Sequence, residues 1–255
     1  MNSKVLPFIM FHTFFIQPIF NLLIIIYNLL PIKDIGISAI ILVILIRLIL
    51  FPFFKKSFIT QRKMAEISPQ IREIQQKYKK DLRKQGQELQ KLYKKYNINP
   101  SYTFLLFLIQ LPIIIALYKV FLSGFSSEIL HKEIYPFIKR PENINTFFIG
   151  ILDLSQKNSL FAFFVAIVQF FQTKFSSKNS PTQKLFSSEK EKKIFEFTQL
   201  FQKQMTFFMP LFTFFILSAL PSIIALYWLT TNSFSFLEYF LVKKIYEKER
   251  NNIRS

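Results

Sequence analysis

The sequence predicts an all-α membrane protein, with five transmembrane helices and a helical hairpin in the cytoplasm. Of its 255 residues 51% are hydrophobic, yet the chain carries 33 Lys and Arg against 15 Asp and Glu. These two classes are segregated into long apolar runs and short basic stretches. Such segregation is typical of bilayer-spanning helices that are joined by aqueous loops.

The N-terminal segment, residues 1–35, contains an apolar stretch that polar residues interrupt, among them His12, Gln17 and Asn21. The interruptions favour a helix at about residues 18–30 that lies in the membrane interface, over a sixth span. No small-residue cleavage site follows the apolar stretch, so a cleaved signal peptide is not favoured.

Five later apolar runs approach or reach the roughly 20 residues that are needed to cross about 30 Å of hydrocarbon. They occupy residues 36–54, 103–122, 159–175, 206–220 and 223–242. Only Pro221-Ser222 separates the last two runs, so 206–242 is predicted to be a tight pair of spanning helices.

Basic residues are concentrated in three of the remaining segments. Segment 55–102 holds 13 Lys and Arg against 4 acids, and segments 176–205 and 243–255 are also basic. In segment 123–158 the basic and acidic residues balance. The positive-inside rule therefore places the three basic segments in the cytoplasm and 123–158 outside.

The basic segment 55–102 has an apolar periodicity of its own. Residues 64–78 and 82–96 each carry apolar side chains at helical spacing. Ser68-Pro69 fits a helix start, and Lys84-Gln85-Gly86 is the expected turn of a helical hairpin. Its basic surface has two interpretations. It is either a solvated surface that also sets the membrane topology, or a surface that docks onto anionic lipid headgroups or ribosomal RNA. The sequence does not separate these interpretations.

Arg47 lies about 11 residues into the first run, or roughly 17 Å along a helix. An arginine at the bilayer centre costs between about 2.5 and well over 10 kcal/mol, depending on the method. Snorkelling would relieve that cost, but Lys55 at the end of the run lies about 12 Å farther along. No Asp or Glu lies deep in another run. The pattern therefore favours an arginine that faces a hydrated cavity inside the helix bundle.

Other polar residues of the runs are candidates for lining such a cavity. They are Gln110, Gln169, Gln172, Thr230, Thr231 and Asn232. Each of them alone is more often a contact between helices. Together with Arg47 they make a hydrated groove plausible.

Motifs for catalysis, cofactors or metals are not found in the sequence. Without cysteine there is no thiolate nucleophile and no Cys-based metal site. His12 and His131 belong to no H-E-x-x-H pattern, and neither a G-x-S-x-G elbow nor a P-loop occurs. The sequence therefore predicts no enzyme, no catalytic or metal site and no cofactor.

Across about residues 17–243 the sequence resembles the YidC/Oxa1/Alb3 family of membrane protein insertases. The motifs, in order, are AIILVILIRLILFPF, KMAEISPQIREIQQKY, LYKKYNINP, IQLPI, ILDLS, FFMP and LPSIIALYWLTTN. Val43, Thr103 and Leu106 stand where the family often has threonine, glycine and proline. The large external domain of some bacterial members is not expected in this sequence.

The resemblance implies a five-helix core whose groove is open to the cytoplasm and to lipid and closed on the outer side. It places Arg47 in that groove, with Tyr227 near the client chain and Gln110 as the glutamine of the second span. The implied activity is the insertion and folding of client membrane proteins without nucleotide hydrolysis. The alternative is a small-solute transporter or channel in which Arg47 binds an anion, although no internal repeat is found.

The implied partners are nascent membrane proteins and the lipid bilayer, with the ribosome and the Sec translocon as further candidates. Anionic lipid headgroups are the expected partner of the basic hairpin. The expected location is a bacterial plasma membrane, with several spans and a cytoplasmic C-terminus. A membrane of an organelle that encodes the protein is the second choice.

Overall fold

The computed structural model describes residues 10–122, 127–178 and 207–254, and these are mostly helical. The helices, in chain order, are α1 (Gln17–Leu29), α2 (Ile35–Glu66), α3 (Ser68–Lys77), α4 (Leu82–Lys95), α5 (Ser101–Leu122), α6 (Ser127–Glu133), α7 (Ser159–Lys178), α8 (Phe207–Ala219) and α9 (Ser222–Arg254). A π-helical turn, His12–Ile16, precedes α1, and a two-stranded antiparallel sheet pairs β1 (Phe147–Phe148) with β2 (Leu152–Asp153). Most of the predicted loop 176–205 lies outside the described residues.

The helices of the described residues are consistent with an all-α membrane protein. Within the described residues, His12–Leu29 and Ile35–Glu66 have the length and hydropathy that a membrane span needs. Shorter apolar helices occupy Leu108–Val120, Ser159–Phe175 and Phe207–Ala219. The number of spans and their orientation stay predictions.

The described chain divides into two compact units. The first comprises Met1–Ile49, Leu108–Phe171 and Phe208–Phe236, and the second comprises Leu50–Phe107, Gln172–Phe207 and Leu237–Ser255. The first unit has one apolar core, to which every long helix of the unit contributes. Fully buried members are Phe20, Leu42, Val120, Val165, Leu217 and Ile223. This core surrounds the polar residues of the predicted site.

Helix α1 nearly matches the expected 18–30, and the π-helical turn before it extends the helical stretch to His12–Leu29. The stretch packs into that core. Its polar residues bind the segment that follows α6 rather than lying in solvent. Asn21 donates from Nδ2 to the Glu133 carbonyl at 2.9 Å and accepts from the Tyr135 amide at 2.8 Å. Asn28 donates to the Lys139 carbonyl at 2.6 Å. Whether the helix spans the membrane or lies at its interface stays a prediction.

Segment 143–156 binds the N-terminal ends of α2 and α9. The Ile35 amide donates to the Asn145 carbonyl at 3.3 Å, and the Ile223 amide donates to the Leu154 carbonyl at 3.1 Å. These donors are helix-terminal N–H groups, which have no partner inside their own helices. The same segment therefore holds the ends of the two helices that carry Arg47 and Tyr227.

In the second unit, α3 and α4 pack through a small apolar cluster. Ile67, Leu92 and Ile98 are buried, and the residues packed against them are Met64, Ile71, Ile74, Tyr93 and Tyr96. Gln70 donates to the Tyr96 hydroxyl at 3.0 Å and so adds a polar contact between the two helices. The start of α3 at Ser68, with Pro69 in its first turn, agrees with the predicted helix start.

The turn between these helices differs from the expected Lys84-Gln85-Gly86. Helix α3 ends at Lys77, and α4 begins at Leu82. The Asp81 side chain caps α4 by accepting from the Lys84 amide at 2.9 Å, the arrangement that an N-terminal aspartate favours. Gly86 therefore lies inside α4, on an open face where no atom comes within 4 Å of an added Cβ.

Candidate functional site

Arg47 lies in α2, about 18 Å along the helix from Ile35. Its side chain is half-buried, and Nη2 donates to the backbone carbonyl of Thr231 in α9 at 3.4 Å. The same carbonyl also accepts a hydrogen bond from the Ser235 hydroxyl, at 2.8 Å. The guanidinium is thus held between two helices of the first unit, inside an apolar stretch.

A small pocket, with room for about one water molecule, adjoins Arg47. Helices α2, α5 and α9 each contribute to its wall. The lining residues are Val43, Ile46, Arg47, Gln110, Ile113, Tyr227 and Thr231. Three of these residues are aliphatic, and the other four present a guanidinium, an amide, a phenol and a threonine hydroxyl.

Gln110 and Tyr227 are hydrogen-bonded to each other in this pocket, with the Gln110 amide donating to the Tyr227 hydroxyl. Tyr227 is only 5% exposed. A buried phenol and a buried amide each need a partner, and this pair supplies one across α5 and α9. It therefore joins two helices that also shape the wall beside Arg47.

The other predicted site residues lie outside the pocket lining. Gln169 accepts from the Trp228 indole at 2.8 Å. Thr230 donates to the Leu226 carbonyl of its own helix, also at 2.8 Å. The buried Nδ2 of Asn232 has no hydrogen-bond partner in the described part of the chain. The Gln169 bond thus joins α7 to α9, whereas the Thr230 bond stays within α9.

The chemistry of the pocket is that of an anion or carbonyl receptor with an apolar side. Its residues include one positive charge and no Asp or Glu. Arg47 can pair with a carboxylate, and Gln110 and Thr231 can exchange hydrogen bonds with a peptide. In the described ranges, no three His, Asp or Glu side chains come together as metal ligands.

Asp34 is a positioning residue that the sequence reading missed. Its carboxylate is buried and accepts from the amides of Gly36 at 2.7 Å, Ile37 at 3.0 Å and Ile149 at 2.7 Å. It therefore caps α2 and also holds β1–β2. An aspartate directly before a long apolar run is an N-cap pattern. The sequence therefore allows the cap of α2 to be predicted, but not the bond to the Ile149 amide.

Comparison with known proteins gives consistent matches. The profile of the 60Kd inner membrane protein family matches residues 25–249. A Clostridium tetani protein named membrane protein insertase YidC is 30% identical over 257 residues, which cover 98% of this chain and 96% of that relative.

Longer proteins with the same name are also similar. The relative from Wolinella succinogenes is 30% identical over 94% of this chain, and that from Buchnera aphidicola is 31% identical over 93%. The chain spans only 39% of the length of each of these two relatives.

Proposed function

Because this chain belongs to the 60Kd inner membrane protein family, whose relatives are named YidC insertases, we propose that it inserts client membrane proteins into the bilayer. It also helps those clients to fold. Its clients are nascent membrane proteins, and it acts without nucleotide hydrolysis. The site is a hydrophilic groove open to lipid, which contains Arg47.

The physical task is to move a polar client segment across hydrocarbon. Each unpaired backbone group there costs several kcal/mol, and acidic side chains add more. A hydrated groove that ends partway through the membrane shortens this barrier. The client's apolar segment then moves sideways into lipid, driven by hydrophobic partitioning.

The observation that carries the proposal is the pocket that Arg47 shares with Gln110, Tyr227 and Thr231. Arg47 attracts client carboxylates, while Gln110 and Tyr227 exchange their mutual hydrogen bond for bonds to the client backbone. Gln169, Thr230 and Asn232 complete the proposed groove along the neighbouring helices.

The membrane setting of the proposal is a bacterial plasma membrane, with a membrane of an organelle as the second choice. Segments 55–102, 176–205 and 243–255 lie in the cytoplasm because their charge is basic. The basic hairpin formed by α3 and α4 docks on anionic lipid headgroups. The ribosome and the Sec translocon are further proposed partners that deliver or share clients.

The test is growth of a bacterial host that is depleted of its own insertase. We expect wild type to restore growth, Arg47→Lys to retain most of it, and Arg47→Ala to lose it, because the role assigned to Arg47 is positive charge. Arg140→Ala is the matched control, since Arg140 is an exposed arginine outside both the pocket lining and the basic hairpin. Full growth with Arg47→Ala would contradict the groove mechanism, and failure of well-expressed wild type would favour the transporter alternative.

A further inference from the structure

The β1–β2 connection is a tight turn with an unusual residue at its tip. The Ile151 amide donates to the Phe148 carbonyl at 3.0 Å, and the two central residues, Ile149 and Gly150, have φ of 52° and 71°. Turns with two positive φ values favour Asn-Gly or Asp-Gly. A β-branched residue in this region is strained, and such strain points to a function for its side chain.

The side chains at this tip are apolar and exposed. Ile151 is 86% exposed, Ile149 63% and Phe147 47%. The surrounding segment, residues 143–152, contains no Lys, Arg, Asp or Glu. Exposed apolar side chains that are grouped along the chain in this way point to an interaction site.

The position of the tip indicates which partner covers it. The Ile149 amide donates to Oδ2 of Asp34, whose Oδ1 caps α2 through the Gly36 amide. An added Cβ on Gly36 would come within 2.5 Å of the Phe148 ring, which shows how closely the strand lies against the helix start. The tip is therefore fixed beside the end of an apolar helix that is long enough to span a membrane.

We propose that the β1–β2 tip inserts its isoleucines into the lipid leaflet at the N-terminal end of α2. The end of a spanning helix lies at the boundary between hydrocarbon and headgroups, and Asp34 holds the tip at that level. Transfer of Ile149 and Ile151 from water into lipid is favourable, which offsets the strain at Ile149. The absence of charge from 143–152 removes the main penalty for this placement.

This role goes beyond the proposed function, since it requires only that α2 spans the bilayer. It makes segment 143–152 a lipid anchor for the helix that carries Arg47, rather than a loop in water. A second copy of this chain or a client could cover the same surface, and the experiment separates these occupants from lipid.

The chain has no cysteine, so single-cysteine labelling is specific. Ile151→Cys would be labelled with an environment-sensitive fluorophore and the full chain reconstituted into liposomes at high dilution. Lys157→Cys is the matched control, because Lys157 is an exposed charged residue a few positions after segment 143–152. Quenching would be measured with shallow spin-labelled lipids and with aqueous iodide, at two protein-to-lipid ratios and with or without client.

We expect the label at position 151 to emit at shorter wavelength and to be quenched several-fold more by the lipid quencher than the label at position 157. Iodide should show the reverse order. If iodide quenches the labels at positions 151 and 157 equally, and more strongly than the lipid quencher does, the proposal is overturned. If the label at position 151 is shielded from iodide only at the high protein-to-lipid ratio, the surface belongs to a second copy. If it is shielded only when client is present, the surface belongs to the client. Either result would also overturn the proposal.

Discussion

At the scale of single residues, two polar contacts of the first unit join different helices. Arg47 binds the Thr231 carbonyl, and Gln110 binds the Tyr227 hydroxyl. Arg47 is conspicuous in the sequence because a single charge in an apolar run is visible without any knowledge of packing. The Thr231 carbonyl that accepts from it cannot be predicted in the same way, because every residue has a backbone carbonyl. Only the packing of α2 against α9 brings this one to Arg47.

The Gln110–Tyr227 pair should contribute to stability through its mutual hydrogen bond. Tyr227→Phe and Gln110→Leu should each lower the free energy of unfolding by about 0.5–1.5 kcal/mol, the range for hydrogen bonds between membrane helices. The double variant should lose less than the sum, because neither partner remains unpaired. SDS titration in mixed micelles measures these changes, with Tyr118→Phe as the control; strict additivity would contradict the pairing.

Asp34 should matter more than an ordinary helix cap. Asp34→Ala removes the cap of α2 and the acceptor for Ile149, whereas Asp81→Ala removes only the cap of α4. A lost cap costs about 0.5–2 kcal/mol, and an unpaired buried amide adds about 1–3 kcal/mol. Asp34→Ala should therefore lower the thermal midpoint in detergent clearly more than Asp81→Ala. Equal shifts would mean that the bond to Ile149 adds nothing.

At the scale of elements, long helices were predictable and their connections were not. Helices α2, α5, α7, α8 and α9 cover the apolar runs, because hydrophobicity sustained over about 20 residues is a strong local signal. However, α2 continues to Glu66 and α9 to Arg254, beyond the ends of their runs at 54 and 242. The turn of the α3–α4 hairpin was misplaced to Gly86. Glycine was taken as the breaker, but capping by Asp81 decides the helix start, and a single glycine costs an exposed helix only about 1 kcal/mol.

The association of α1 with the segment after α6 could not be predicted from sequence alone. Gln17, Asn21 and Asn28 interrupt the apolar N-terminal stretch, which favoured an interfacial helix. In the structure these residues bind carbonyls of Glu133 and Lys139 instead. Those contacts are more than 100 residues apart in the chain, so no local pattern reports them.

The two glycines whose surroundings differ most should respond oppositely to alanine. Gly36→Ala would place a Cβ 2.5 Å from the Phe148 ring and 2.7 Å from Leu154, so it should destabilise by about 1–3 kcal/mol through overpacking. Gly86→Ala meets open space inside α4 and should stabilise by about 0.5–1 kcal/mol. Thermal unfolding of both variants in the same detergent shows whether each substitution raises or lowers stability. A stabilising Gly36→Ala would contradict the close approach of β1 to α2.

At the scale of the whole molecule, the net charge of +18 and the apolar helices serve one task. Basic segments orient the chain in a membrane, while the apolar helices enclose a few polar groups around Arg47. In the proposed function, that distribution lets a chain of 255 residues without a nucleotide-binding motif move other polypeptides. The proposed driving forces are hydrophobic partitioning and local hydration.

Insertion of a client by the purified chain tests this account most directly. The chain would be reconstituted into liposomes with a single-span client that carries an acidic external tail, and protease protection of that tail would be measured against empty liposomes. We predict protection above the empty-liposome baseline with wild type and Arg47→Lys, and baseline protection with Arg47→Ala. Wild type that never exceeds empty liposomes with several such clients would contradict autonomous insertion.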